Sequence, residues 1–127
     1  IQALSQLKAL GVGIAFDDFG TGFASLSLLQ KYPLTCLKID RSFVARVDRE
    51  TGDAAIVRAV ISMADSLKLT VIAEGIETAE QEAALIALGC DEAQGYRYGR
   101  PMRKADLADA CSSSHTIIPN LAATSAA

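Results

Sequence analysis

Four apolar runs in this sequence end in, or carry near their ends, side chains able to do chemistry. Val12 to Phe16 stops at Asp17 and Asp18. Leu34 to Ile39 contains Lys38 and stops at Asp40. Thr70 to Ala73 stops at Glu74, and the weaker, more polar run from Cys90 to Tyr96 carries Gln94. Carboxylates with one ammonium and one amide, and no histidine or cysteine beside them, form a hard oxygen donor set suited to Mg²⁺ or Mn²⁺ rather than zinc. Carboxylates held this close repel one another, and divalent cations offset the repulsion. Lys38 can hold an anionic oxygen or an attacking water. The inventory suits metal-assisted hydrolysis of a phosphoester, in which two ions stabilise the attacking and leaving oxygens. Neighbouring residues of a strand point to opposite faces, so Asp17 and Asp18 reach one site only if the backbone turns there; Phe19-Gly20 predicts that turn. The single histidine, His115, stands in a Ser-rich stretch far from these runs. No Ser-His-Asp or Cys-His arrangement is therefore available for covalent catalysis. Gly20-Thr21-Gly22 has neither the third glycine of a dinucleotide fingerprint nor the Gly-Lys-Ser/Thr of a P-loop. Tyr96, Tyr98 and Arg100 read either as half-exposed packing residues or as contacts for a base.

The elements that must position these residues alternate. Ile1, Leu4, Leu7 and Leu10 recur at helical spacing before Gly11, and the run to Phe16 reads as a buried parallel strand. A short helix is predicted from about Ala24 to Lys31, ended by Pro33, and a second strand over Leu34 to Ile39. Asp53 to Leu69 carries a stripe of Ile56, Val57, Val60, Ile61, Ala64 and Leu67, followed by the third strand. Thr78 with Gln81 has capping-box spacing and opens a helix to Leu88, closed by Gly89. A last helix is expected from Lys104 to about Cys111, and a flexible tail over 112–127. A helix-then-strand unit ending in an acid occurs twice, at Leu7 to Asp17 and Leu67 to Glu74, as a repeated βα architecture would give. Strands separated by helices make a parallel sheet with right-handed crossovers, and in such folds ligands bind beyond the carboxyl ends of the strands. The four endings then face one site.

Composition narrows the class. The chain has 127 residues, 50% hydrophobic and 21% charged, with 12 basic and 15 acidic side chains and a net charge of −3. It is too apolar for a disordered segment and too acidic to bind a nucleic-acid polymer. No apolar run approaches a membrane span, and no signal peptide is recognisable. Cys36, Cys90 and Cys111 are odd in number and show no C-x-x-C spacing, which points to a reducing, cytoplasmic setting, with Cys36 and Cys90 as small buried residues.

Taken together, the motifs resemble the EAL-domain family of cyclic-di-GMP phosphodiesterases. The matching stretches are Asp17-Asp18-Phe19-Gly20-Thr21-Gly22-Phe23-Ala24-Ser25-Leu26, Leu37-Lys38-Ile39-Asp40-Arg41-Ser42-Phe43, Ala73-Glu74-Gly75-Ile76-Glu77-Thr78, and Gln94-Gly95-Tyr96 with Gly99-Arg100-Pro101. The resemblance implies a TIM-like barrel that binds cyclic-di-GMP at its C-terminal face with two Mg²⁺ or Mn²⁺ ions and cleaves it to linear pGpG in bacterial signalling. It implies Asp17 as a ligand shared by both ions, Asp18 as ligand of the second, and Glu74 as ligand or general base. Lys38 would orient the water, Gln94 would join the metal and water shell, and Glu77 would brace the loop Phe19–Ser25. Asp40, Phe19, Gly20, Arg100 and Pro101 are carried over as substrate or loop residues.

The family's Glu-Ala-Leu motif and two further ligands, an Asn and a Glu, are absent from this sequence, and eight βα units need roughly 250 residues. The expectation is therefore four βα units over residues 1–111, the C-terminal half of the barrel, inactive alone. A half-barrel would leave two open sheet edges, which invites a homodimer or another association. Upstream sensory domains, and a membrane anchor elsewhere in the parent protein, are compatible with this reading. The alternatives are a receptor module that binds cyclic-di-GMP without cleaving it, and a half-barrel that self-associates.

Overall fold

A computed structural model describes residues 1–20, 26–49 and 52–107. Nine elements follow in order: α1 (Gln2–Ala9), β1 (Ala15–Phe19), α2 (Leu26–Lys31), β2 (Cys36–Ile39), α3 (Arg41–Val44), α4 (Gly52–Ser66), β3 (Thr70–Glu74), α5 (Ala79–Ala87) and β4 (Glu92–Gln94). The four strands form one parallel sheet in the order β1-β2-β3-β4, so β2 and β3 are central and β1 and β4 are edges among the described residues. This is the βα alternation expected from the sequence.

Register and side-chain alternation divide the sheet. Leu37 and Ile39 on β2 and Val71 and Ala73 on β3 point to one face and are at most 1% exposed. Val57, Val60, Ile61 and Ala64 of α4 are buried in the same core. Lys38, between Leu37 and Ile39, and Glu74, next after Ala73, lie on the opposite face, as a period of two requires. The core therefore fixes where both polar groups point.

Local signals settle the ends of the elements. Thr78 accepts from the Gln81 amide at 3.2 Å, and the Gln81 side chain accepts from the Thr78 amide at 3.2 Å, which is the expected capping box. The buried Gln81 amide nitrogen also donates to the Ala45 carbonyl at 3.2 Å, tying α5 to the turn after α3.

The structure departs from the sequence reading in five places. The buried strand read over Val12 to Phe16 is instead β1 at Ala15–Phe19, with Val12 47% exposed and no residue of the strand buried, because β1 is an edge strand among the described residues. β2 and β4 are shorter than their apolar runs, because pairing covers only 36–39 and 92–94. The stripe of α1 is not buried: Ile1 is 56% and Leu10 80% exposed, and none of the helix's own residues is buried. Ile56 is likewise exposed, so the buried face of α4 is narrower than its apolar pattern. Cys36 and Cys90 are only partly buried. Lys104–Leu107 forms a helical turn; the rest of that expected helix, the tail 112–127 and loop residues 21–25 lie outside the described residues.

Candidate active site

At the carboxyl end of the sheet the site grows from one backbone irregularity. β1 pairs with β2 as Ala15↔Cys36 and Phe16↔Leu37, then slips so that Phe19 pairs with Ile39. Within that bulge Asp18 adopts φ 53°, a left-handed conformation that Asp tolerates better than most residues. The turn that the adjacent pair required is therefore at Asp18, inside the strand, and not at the Phe19-Gly20 step where the sequence placed it, because the register slip falls before Phe19 pairs again. As a result, carboxylate oxygens of Asp17, Asp18 and Glu74 all lie within 4.8 Å of one another.

Lys38 sits between the two arms. Its ammonium pairs with Asp17 at 3.1 Å and with Glu74. The hydrogen bond to Glu74 is the largest influence on this ammonium; with that to Asp17 it outweighs burial and raises its pKa. Gln94 Nε2 donates to Glu74 Oε1 at 3.3 Å. Five residues from four strands thus meet at one end of the sheet. The three carboxylates fit a hard divalent cation: Mg²⁺- or Mn²⁺-type bonds of roughly 2.1 Å place ligands on opposite sides of an ion about 4–4.5 Å apart.

The remaining sequence candidates fall into two groups. Glu77, Gln94, Arg100 and Pro101 line a cavity of about 750 Å³ together with Tyr96 and Arg41. Arg100 stacks on the Tyr96 ring at 4.5 Å from its centroid, and Tyr96 is half exposed. Tyr98 also lines this cavity while packing against the core; burial, with Glu82 adding to it, pushes its hydroxyl up to about 12. The Glu77 backbone amide donates to Gln81 at 2.8 Å. Its expected partner loop falls largely among residues 21–25, outside the described residues.

Phe19, Gly20 and Asp40 occupy supporting positions. Phe19 packs edge-to-face on Phe16, 6.1 Å between centroids, and faces the core. The Asp40 carboxylate caps α3, accepting from the Ser42 amide at 2.9 Å and from its hydroxyl. The Ser42 hydroxyl and then its amide hold the Asp40 pKa below the usual carboxylate value. Sequence reasoning missed α3 and, with it, Arg41 in the cavity wall. The signal was present, since an Asp two residues before a Ser just past a strand is a helix-capping pattern.

Comparison with known proteins agrees with this architecture. The EAL domain family model matches residues 1–101. The bifunctional diguanylate cyclase/cyclic di-GMP phosphodiesterase MucR of Pseudomonas aeruginosa is 48% identical over 99 residues, covering 78% of this chain and 14% of MucR. The structure of the PaMucR phosphodiesterase in complex with c-di-GMP superimposes with a TM-score of 0.75 at 47% identity, covering 82% of this chain and 42% of that one. The manganese/cy-diGMP complex of Klebsiella pneumoniae BlrP1 gives a TM-score of 0.72 at 35% identity, covering 79% and 26%. The chain therefore spans less than half of the length of each of these proteins. The parallel βα units are those of an EAL TIM barrel, and this chain belongs to the EAL domain family.

Proposed function

We propose that this chain carries part of a cyclic-di-GMP phosphodiesterase site, in bacterial second-messenger signalling, that yields linear pGpG. The observation that supports this reading most is the convergence of Asp17, Asp18 and Glu74 within 4.8 Å, beside Lys38. Two Mg²⁺ or Mn²⁺ ions would supply charge stabilisation to the attacking and leaving oxygens. Asp17, Asp18 and Glu74 are the residues that would hold them. Lys38 would orient the attacking water, and Glu74 would serve either as a metal ligand or as the general base that accepts the water's proton. Gln94 steadies Glu74. The water oxygen bonds to phosphorus as one phosphodiester P–O bond breaks, and the departing ribose oxygen takes up a proton. Glu77, Arg100 and Pro101 line the cavity that receives the dinucleotide.

In this proposal residues 1–111 are four βα units forming the C-terminal half of an EAL domain, and the other ligands come from the rest of the domain. Turnover by this chain alone is then negligible. The open edges β1 and β4 are where it associates, with a second copy or with other parts of the barrel. The parent protein carries further sensory domains. No helix among the described residues is long and apolar enough to cross a membrane. The scattered cysteines without C-x-x-C spacing fit a reducing setting, and on that ground we assign the chain to the cytoplasm.

Titration of the chain with Mn²⁺, following the free ion by electron paramagnetic resonance, tests the site. Saturable binding is expected, and it should vanish when Asp17→Asn, Asp18→Asn and Glu74→Gln are combined. Equal binding by the combined variant overturns the metal assignment. Hydrolysis of cyclic-di-GMP by this chain at about 1 s⁻¹, an ordinary enzyme rate, overturns the assignment of the missing ligands to other parts of the domain.

A further inference from the structure

The carboxylate cluster has one arm on a central strand and one on an edge strand, and α3 touches the residue after each. On the edge side, Gly20 follows Asp17-Asp18-Phe19 at φ +106°, with its α-carbon against the Phe43 ring. A Cβ there would lie 2.8 Å from Phe43 Cζ and closer still to Cε2. On the central side, Gly75 follows Glu74 at φ +76°, and a Cβ there would lie 2.5 Å from the Arg41 Cβ. Arg41 and Phe43 belong to the same single helical turn. That turn is fixed at its start by the Asp40 cap, at its end by Val44, which is fully buried, and along its side by packing on α4 and β3. A rigid wedge therefore stands between the backbones that follow the two arms.

We propose that Phe43 is a positioning residue for the metal-binding carboxylates, bracing the bulged end of β1 so that Asp17 and Asp18 stay in register with Glu74. This rests on the metal reading given above. Past the bulge, β1 regains its register with β2 only at Phe19, and the next backbone contact is Gly20 on Phe43. An aromatic ring suits this place because it is broad enough to press the Gly20 backbone while remaining anchored against the core. Shortening it to Ala leaves room for the bulge to relax, and the separation of the two arms is then no longer set.

The test uses Phe43→Ala, Phe43→Leu and Gly20→Ala in this chain. Mn²⁺ affinity and the amide hydrogen exchange of Asp17 to Gly20 are measured alongside global stability. Removing groups that orient metal ligands weakens affinity about 10- to 100-fold. Folded Phe43→Ala is expected to lose at least about tenfold in Mn²⁺ affinity and to exchange at 17–20 about tenfold faster, with Phe43→Leu between it and the parent. Phe43→Leu keeps the apolar bulk and so decides the matter if Phe43→Ala does not fold. Gly20→Ala, forced against the ring, is expected to weaken Mn²⁺ binding as well. Adding Phe43→Ala to it should then cost less than it does in the parent. A variant that loses stability but keeps parental Mn²⁺ affinity and parental exchange at 17–20 overturns the proposal and leaves Phe43 a core residue. If the parent chain itself binds no Mn²⁺, the metal reading fails separately. The exchange rates then decide whether Phe43 braces the β1 end: unchanged rates overturn that too, and faster rates uphold it.

Discussion

Lys38 and Glu74 stand on the central strands β2 and β3, whereas Asp17 and Asp18 stand on the edge strand β1. Around the first pair the alternate residues Leu37, Ile39, Val71 and Ala73 are buried in the core that α4 shares, with full parallel register between the strands. Around the second pair the register slips, the left-handed Asp18 takes up the turn, and the preceding helix α1 buries none of its residues. Two ways of holding a functional side chain are thus side by side. The central arm is set by core packing through strand alternation. The edge arm is set by a bulge, one ion pair to Lys38, and the contact of Gly20 with Phe43. The same ammonium serves both arms, so it reports on their separation.

The largest effect that would sharpen this contrast is in stability. Leu37→Ala removes a fully buried side chain and is expected to cost about 3 kcal/mol, from lost transfer and the cavity left behind. Leu7→Ala on the exposed face of α1 should stay within about 0.5 kcal/mol. Urea unfolding of both variants checks the pair, and comparable losses would break the contrast.

Next is Gln81→Ala, which removes the acceptor for the Glu77 and Thr78 amides and the donor to Ala45. Because the side chain is buried, about 1–3 kcal/mol is expected for the groups left unsatisfied. A loss below about 0.5 kcal/mol would mean that water replaces these bonds.

A smaller effect lies in acid at the wedge itself. Asp40 is depressed in the folded protein, so its contribution is present above the ordinary carboxylate pKa, near 4. That contribution is lost as pH falls through the lower folded value. Asp40→Asn keeps a capping side chain without the charge. Its stability should therefore fall less steeply than the parent's on acidification below about pH 4. Parallel acid limbs in the two proteins would remove Asp40 from the account.

The smallest perturbation concerns the other edge. Burial pushes the Cys90 thiol up to about 11, while its sulfur faces the Glu92 carbonyl at 3.3 Å. Alkylation of Cys90 at pH 8 is therefore expected to run about a hundredfold slower than that of an ordinary exposed thiol, because the thiolate is the reacting form. Site-resolved mass spectrometry of the modified chain reads the rate, and fast labelling would show that the β4 edge opens readily.

Much of this was legible in the chain itself. Glycine and proline punctuation gave the alternation of helix and strand. The polar endings of the apolar runs gave Asp17, Asp18, Lys38, Glu74 and Gln94, and Thr78 with Gln81 gave the capping box. These are local properties, written in spacing and residue type. They also sufficed to identify the family.

What only the tertiary structure decided was nonlocal. That Asp17 and Asp18 share one site depends on a register slip between β1 and β2, which no window on β1 alone contains. That the apolar stripe of α1 stays exposed depends on what lies beside it, not on its own periodicity. The short helix α3 gains its meaning from Gly20 and Gly75, residues on either side of it in space and more than twenty positions away in sequence. Residue type determined which groups could bind a cation. Strand register and loop packing determined which of them meet, because side-chain direction in a sheet is set by partners that the local sequence does not name.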